Sequence, residues 1–249
     1  MIFAQTWRLL LVAGMFGGGI AAMMAGHFMA GFILHLLIVG YLLAGTLNPS
    51  SRLFGPVRTG IAKGIWLTLD DGPDPVDTPA ILDLLDRHAA KATFFVIGEK
   101  AEKHPDLIRE IHRRGHQIGN HSWSHPRATF WCLGPWATRR EIVKCQRAVE
   151  GIIGQAPTVF RAPVGHYNLF VHPVLEREGL ELVGWSSRGF DGVAAPLAEV
   201  LGRIRKSAAE GGIILAHEAT PIASGVVAGI LALGAENRWS FVIPDVSPE

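Results

Sequence analysis

The sequence predicts an α/β fold, a parallel sheet with helices outside it, preceded by an N-terminal apolar helical hairpin. Between residues 65 and 243, short apolar runs of strand length alternate with stretches of helical periodicity; that alternation builds a parallel sheet, either open and doubly wound or closed into a barrel. Residues 9–47 contain no Asp, Glu, Lys or Arg, whereas charges recur in nearly every block of ten from Lys63 onward, so the two parts suit different solvents. The polar residues of chemical interest follow the strand-like runs, where α/β folds gather their sites.

The 249 residues leave room for one domain of ordinary size plus an accessory segment. Hydrophobic residues make up 49% and charged residues 18%, and the net charge of +1, without a long basic run, argues against a nucleic-acid binder. Cys132 and Cys145 are too few for a disulfide framework or a cysteine metal site, and two free thiols fit a reducing compartment.

Residues 9–25 and 28–47 are apolar stretches separated by Gly26-His27. Crossing a bilayer takes about 20 apolar residues as helix, with roughly 17 as the short limit, so the second stretch qualifies and the first is marginal. A cleaved signal peptide explains the first stretch but not the second. A membrane hairpin, spanning twice or re-entrant, is the expectation. Arg8 precedes it, and Arg52, Arg58 and Lys63 follow with no acid before Asp70. Basic flanks stay in the cytoplasm, which places the domain that follows on the cytoplasmic side of the inner membrane. Residues 48–60, with Pro49, Gly55 and Pro56, read as the linker.

Strands are expected at residues 65–69, 93–97, 117–119, 158–160, 180–185, 212–216 and 240–243, and helices at 79–88, 105–114, 138–153, 171–178 and 197–209. Thr78 followed by Pro79 reads as a helix start, and Ile81, Leu82, Leu84 and Leu85 as the inner face of that helix.

His121 and His125, four apart, can reach one metal from a helical turn. That spacing alone is weak, since His112 and His116 share it. His116, like His88 and His104, reads as an ordinary polar or partly buried side chain. Asp70-Asp71-Gly72-Pro73 has turn chemistry, yet two adjacent carboxylates at a strand end repel unless a cation compensates them. Asp71, His121 and His125 make a His-His-carboxylate set that leaves coordination positions open, as catalytic sites do. Asp70 is then free to act as base, and His217 to protonate a leaving amine. Arg161 and Asp191 are expected to form a supporting ion pair that orients and tunes Asp70.

Leu67 to Pro73, His121 to His125, Arg161-Ala162-Pro163-Val164-Gly165 and Leu215-Ala216-His217 resemble, in order, the motifs of the polysaccharide deacetylases (carbohydrate esterase family four, or NodB-homology domain). The resemblance runs from residue 65 to 243 and includes Ala92 to Phe95 and Gly115 to Asn120. It implies a distorted (β/α)7 barrel that hydrolyses an N-acyl amino sugar. The domains would be a membrane anchor at 1–47, a linker at 48–60 and the deacetylase at 61–249. It also implies Asp70 as base, His217 as acid, and one divalent ion on Asp71, His121 and His125: zinc, with cobalt, manganese or nickel as substitutes. The Val164 N–H would help hold the oxyanion, and Leu215 would line the acyl pocket. The sequence departs from the family where Asp-Trp is usual, at Asp191-Gly192, so Trp185 is the candidate replacement wall. It departs again at Val164, where the family carries an aromatic residue.

Phe130, Trp131 and Trp136, with Arg139 and Arg140, read either as a loop tucked into the core or as a membrane-facing lip, aromatics at the interface and arginines near phosphates. The lip and the cytoplasmic orientation together point to a hydrolase removing an acetyl or formyl group from a polyprenyl-phosphate-linked amino sugar at the inner leaflet. The alternatives are an envelope deacetylase acting outside on peptidoglycan or another polysaccharide, and a metal-dependent amidase for a non-sugar amide. A catalytically dead sugar-binding module is disfavoured while ligands, base and acid are all present.

Overall fold

The computed structural model describes residues 6–245. Helices α1 (Thr6–Met24) and α2 (Phe28–Leu47) form an antiparallel hairpin turned at Gly26, where φ is 86°. Both are long and apolar enough to cross a membrane, with mean hydropathy 1.5 and 2.1, and at 1.5 Å per residue each is about as long as a ~30 Å hydrocarbon core is thick. They approach closely because glycines face each other: a Cβ on Gly31 would stand 2.6 Å from the Gly19 carbonyl oxygen. The His35 imidazole fills the space over Gly19, lies 2.8 Å from the Gly31 carbonyl and meets Phe16 edge-on.

Residues 48–60 are packed rather than loose. Phe54, 1% exposed, lies between the rings of Tyr41 and Tyr167 and against Gly45 of α2. Its carbonyl accepts a hydrogen bond from Arg8, the Leu53 carbonyl one from Tyr41, and the Ser51 carbonyl one from Tyr167. Burying a phenylalanine contributes about 1.5–3 kcal/mol, enough to dock the hairpin's base on the domain instead of leaving it on a tether.

The strands are β1 (Trp66–Gly72), β2 (Ala92–Val96), β3 (Gln117–Asn120), β4 (Val159–Phe160), β5 (Glu181–Leu182), β6 (Ser187–Arg188) and β7 (Ile213–His217). The helices are α3 (Asp77–Arg87), α4 (Gly98–Lys103), α5 (Pro105–Arg113), α6 (Pro135–Ile153), α7 (Val171–Glu178), α8 (Leu197–Ser207) and α9 (Ala223–Asn237). All strand pairs of the sheet are parallel, in the order β5-β4-β3-β2-β1-β7-β6. Consecutive strands β5 and β6 therefore occupy opposite ends of the order. Five Cα steps from Leu182 to Ser187 span at most about 19 Å, whereas the edges of a flat seven-stranded sheet lie roughly 29 Å apart. The sheet must curl, and the result is the distorted barrel.

Side chains alternate across the curled sheet. On β1, Leu67 and Leu69 face the outer layer with Ile81, Leu82 and Leu85 of α3, while Trp66 joins Phe95, Val159 and Ile213 inside. The expected strand at 240–243 is only a bridge, Phe241 to Ile65, and the seventh strand is β6, whose two residues are too short to show a period. The helix expected to begin after a Thr78 cap begins at Asp77 instead. The Asp74 carboxylate accepts the N–H groups of Val76 and Asp77, and the Thr78 hydroxyl accepts the Asp74 N–H. Helices α4 and α9 lack the polar-apolar stripe that would announce them, α4 by its length and α9 by being apolar nearly all round.

The ends of β1 and β7 are locked together by Glu218. Its N–H donates to the Asp70 carbonyl (2.9 Å), the Thr78 hydroxyl donates to its Oε1, and its Oε2 presses on Gly72, where any Cβ would collide. Burial, reinforced by the nearby charges of Asp77 and Asp74, pushes this carboxyl up to about 8. A group that prefers its proton when folded stabilises fully below its unfolded pKa, 4.5, and that contribution is lost as pH rises through about 8. Glu218→Gln should therefore gain stability relative to the wild type across that window, read as the difference between denaturant midpoints at successive pH values. A difference constant with pH would show that Glu218 titrates as an exposed carboxyl does.

Candidate active site

Neighbouring residues of a strand point to opposite faces, so Asp70 and Asp71 should diverge. They do not, because β1 carries a register shift between Asp70 and Gly72 and Asp71 adopts φ 71°. Asp70 keeps the inward direction of Trp66 and Thr68; Asp71 is turned back beside it. A carboxylate oxygen of each lies 3.6 Å from His121 Nε2.

The two histidines come from a loop after β3, not from a helical turn, since Ser122 and His125 have φ 66° and 51°. Side chains replace the missing helix hydrogen bonds. Asn120 accepts the Ser122 N–H, Ser122 Oγ accepts the His125 N–H, and buried Glu141 of α6 takes both the N–H and the hydroxyl of Ser124. His121 Nδ1 lies 2.8 Å from the Arg161 carbonyl, so that nitrogen carries the proton and Nε2 presents its lone pair inward.

Asp71, His121 and His125 converge, with one ligand atom from each lying within 4.8 Å of the others. Asp71 Oδ1 is 3.6 Å from His121 Nε2 and 3.3 Å from His125 Nε2. Tetrahedral zinc with bonds of about 2.0–2.2 Å places its ligand atoms roughly 3.3–3.6 Å apart. Asp71 Oδ1 is also buried without a hydrogen-bond partner, and a buried orphan acceptor facing two imidazoles fits a cation. Burial opposes the charge on Asp71, yet His121 and His125 hold it well below the usual carboxylate range. Burial, then the neighbouring His121, pushes His125 down to about 3, so its imidazole is neutral and able to coordinate.

Arg161 and Asp191 do not pair with each other, contrary to expectation. Each has its own partner, Asp70 on β1 for Arg161 and its register neighbour His217 on β7 for Asp191. The Arg161 guanidinium donates to Asp70 Oδ1 (2.8 Å), Thr68 Oγ1 (2.7 Å) and the carbonyls of Val183 and Gly184. Asp191 instead holds His217, its Oδ1 2.9 Å from Nδ1 and its Oδ2 accepting the His217 N–H at 2.7 Å. Spacing along the chain carries no information about which strand ends meet, and these pairs are set by the curl of the sheet. Burial lowers the proton affinity of His217, but the bond to Asp191 and its charge outweigh it and the net shift is upward.

Val164 stands in a one-turn 3-10 helix (Pro163–Gly165) with φ 59° and is half exposed. The N–H groups of Gly165 and His166 are taken by the carbonyls of Ala162 and Pro163. Leu215 is buried on β7, next to Arg188 of β6. Trp185 covers the Arg161 guanidinium and packs against Gly165. No side chain stands at Gly192, and a Cβ there would meet the His217 ring at 3.3 Å.

The expected lip divides. Phe130 is fully buried against Phe160, because that strand end needs an apolar cover, so it is core and not lip. Trp131 and Trp136 are exposed, 39% and 84%, as are Arg139 and Arg140. Two cations overlooked as site residues touch Asp71: Arg127 bonds its Oδ2 at 2.9 Å and Lys100 its carbonyl at 2.6 Å. Arg127 lies two residues past His125, a signal that was available; Lys100 had none, lying on the unforeseen α4.

The polysaccharide deacetylase family model matches residues 58–183. Among characterised proteins, the chain is 38% identical over 156 residues to the peptidoglycan-N-acetylglucosamine deacetylase PgdA of Listeria monocytogenes, covering 63% of this chain but only 32% of that protein. It is 35% identical over 160 residues to the chitooligosaccharide deacetylase of Azorhizobium caulinodans, covering 64% and 75%. Among solved structures, the peptidoglycan deacetylase PdaC of Bacillus subtilis superposes with a TM-score of 0.67 at 29% identity, over 72% of this chain and 87% of that one. A family 4 carbohydrate esterase of Streptomyces lividans gives 0.67 at 28%, over 74% and 93%. With the barrel, the ordered motifs and these relatives in agreement, the chain belongs to the polysaccharide deacetylase family.

Proposed function

We propose that the protein is a divalent-metal-dependent N-deacylase of amino sugars. The convergence of Asp71, His121 and His125 on a buried, unpartnered carboxylate oxygen carries this reading, with Asp70 against His121 and its register partner His217 held by Asp191. A zinc ion on those three ligands would supply positive charge that polarises the amide carbonyl and acidifies water. Arg161 ties up Asp70 Oδ1, leaving Oδ2 on the cluster side to take the proton of the attacking water. His217, with Nδ1 committed to Asp191, offers Nε2 to protonate the departing amine as the C–N bond breaks. The Val164 N–H would meet the oxyanion, Leu215 the acyl methyl group, and Trp185 the wall left open at Gly192.

The substrate we infer is an N-acylated sugar carried on a polyprenyl phosphate at the inner leaflet. In support, Pro49, two residues past α2, packs on Gly165 of the Val164 turn, so the hairpin leaves the domain beside the catalytic mouth. Exposed Trp131 and Trp136 and exposed Arg139 and Arg140 follow the metal loop, and aromatics with arginines are what an interface favours. The names of the relatives favour the second reading, an enzyme acting on wall polymer outside the membrane.

Three outcomes are expected. His121→Ala or His125→Ala should abolish zinc binding, measured by metal analysis of purified protein, and with it acetate release from an N-acetylglucosamine oligomer; stoichiometric metal with full turnover would remove the ligand assignment. Asp70→Asn should keep zinc yet lose on the order of 10²–10⁴-fold in activity, and should also melt earlier because Arg161 loses its buried counter-charge. If Asp70→Asn lost the metal while Asp71→Asn kept it, the two roles would be exchanged. Finally, Cys132 is exposed and should resist an impermeant thiol reagent in intact cells, reacting once the membrane is opened. Labelling in intact cells would place the site outside and favour the wall-polymer reading.

A further inference from the structure

Among the described residues, six arginines are buried or half-buried: Arg8, Arg58, Arg114, Arg161, Arg188 and Arg203. Five of them donate to a carboxylate or a carbonyl: Arg8 to Phe54, Arg58 to Glu181, Arg114 to Glu110, Asp83 and Asp86, Arg161 to Asp70, and Arg203 to Glu199 and Gly189. Arg188 is the exception. It touches only rings, with its guanidinium carbon 5.3 Å from the Trp185 centroid and 4.0 Å from that of Phe190. A guanidinium carries five N–H donors, and one partly withdrawn from water without an acceptor is costly to maintain.

The surroundings of Arg188 are those of a substrate subsite. It ends β6, in register with Leu215, two residues before His217 on β7. Trp185, one of the two rings against it, also covers the Arg161 guanidinium that holds Asp70. Phe190, the second ring against it, precedes Asp191, the partner of His217. Phe190 adopts φ 62° and remains 46% exposed. A bulky residue at positive φ is a genuine outlier, and such strain clusters where function requires a particular direction. Here it leaves the ring partly open to solvent against Arg188 and Arg203 of α8, whose guanidinium carbon lies 5.9 Å from the ring centroid, one residue before Asp191 and two before Gly192. Rings of this kind stack on sugars, and the fixed fork of an arginine matches a phosphate or a carboxylate.

We propose that Arg188, framed by Trp185 and Phe190, is an anion subsite that recognises a phosphate or carboxylate borne by the amino sugar being deacylated. The role deepens the deacylase reading and rests on it for the identity of the sugar. Cationic recognition here would favour charged over neutral substrates.

Full-length, zinc-loaded protein in detergent would be titrated calorimetrically with three probes: N-acetylglucosamine, N-acetylglucosamine 1-phosphate and N-acetylmuramic acid. Any contribution of zinc to anion binding is common to wild type and variant, so their difference isolates Arg188. One charged probe should bind the wild type at least about tenfold more tightly than the neutral sugar, the scale of a charge-assisted hydrogen-bond pair. Arg188→Gln should erase that preference and Arg188→Lys should restore part of it. The phosphate arm reports a carrier-linked sugar and the carboxylate arm a wall glycan. Equal binding of charged and neutral probes by the wild type, or an undiminished preference in Arg188→Gln protein with a wild-type near-ultraviolet spectrum, would overturn the subsite. Acetate release from a neutral oligomer, measured on the same samples, reports separately on the deacylase reading.

Discussion

The ion pair between Arg161 and Asp70 is the interaction on which the rest of the barrel's interior depends. Arg161 is 1% exposed, and its guanidinium collects acceptors from β1 and from the segment after β5 while stacking on Phe95 and Trp185. Withdrawing two charges from water is expensive, and removing one member of such a pair typically costs about 3–5 kcal/mol because the other is left uncompensated. The pair is therefore poor as a source of stability and strong as a constraint. It gives Asp70 one bound and one available oxygen. Through Gly184 and Trp185 it also links Asp70 to the strand ends that frame the site.

Backbone strain is concentrated in the same place. Among the described residues, eight that are not glycine have positive φ, and six of them, Asp71 at the end of β1 and Ser122, His125, Val164, Phe190 and Ala219 on the loops that follow strands, lie around the candidate metal site and His217. At about 1–3 kcal/mol each, these conformations survive only because the surroundings over-determine them. The clamp of Glu141 on Ser124, the bond from His121 to the Arg161 carbonyl and the lock of Glu218 on Gly72 are those surroundings. Regular strand geometry would send Asp71 away from Asp70; strain makes the pair act on one site.

The hairpin and the pocket are also mechanically continuous. Phe54 closes the hairpin's base onto Tyr167, and Pro49 packs on Gly165, one residue from Val164 and in contact with Trp185. Motion of the hairpin relative to the barrel would disturb the turn proposed to hold the oxyanion. A hairpin joined in this way fixes its own distance from the mouth and its orientation to it.

The sequence by itself determined the periodic and local features: the apolar hairpin, the main helices, the strand cores and the candidate ligands Asp71, His121 and His125, whose residue types limit the chemistry they can perform. It also carried the ordered motifs, because each motif is a strand end and strand ends converge in this class of fold. Only the tertiary structure decided pairings across the barrel. It gave Arg161 to Asp70 and Asp191 to His217, put Phe130 in the core, moved the seventh strand to β6, and brought Arg127, Lys100 and Glu218 to the site. The physical reason is range. Periodicity and capping act over a few residues and leave a trace in the chain, whereas the partner of a buried charge lies 26 residues away for His217 and 91 for Asp70, and is chosen by how the sheet curls.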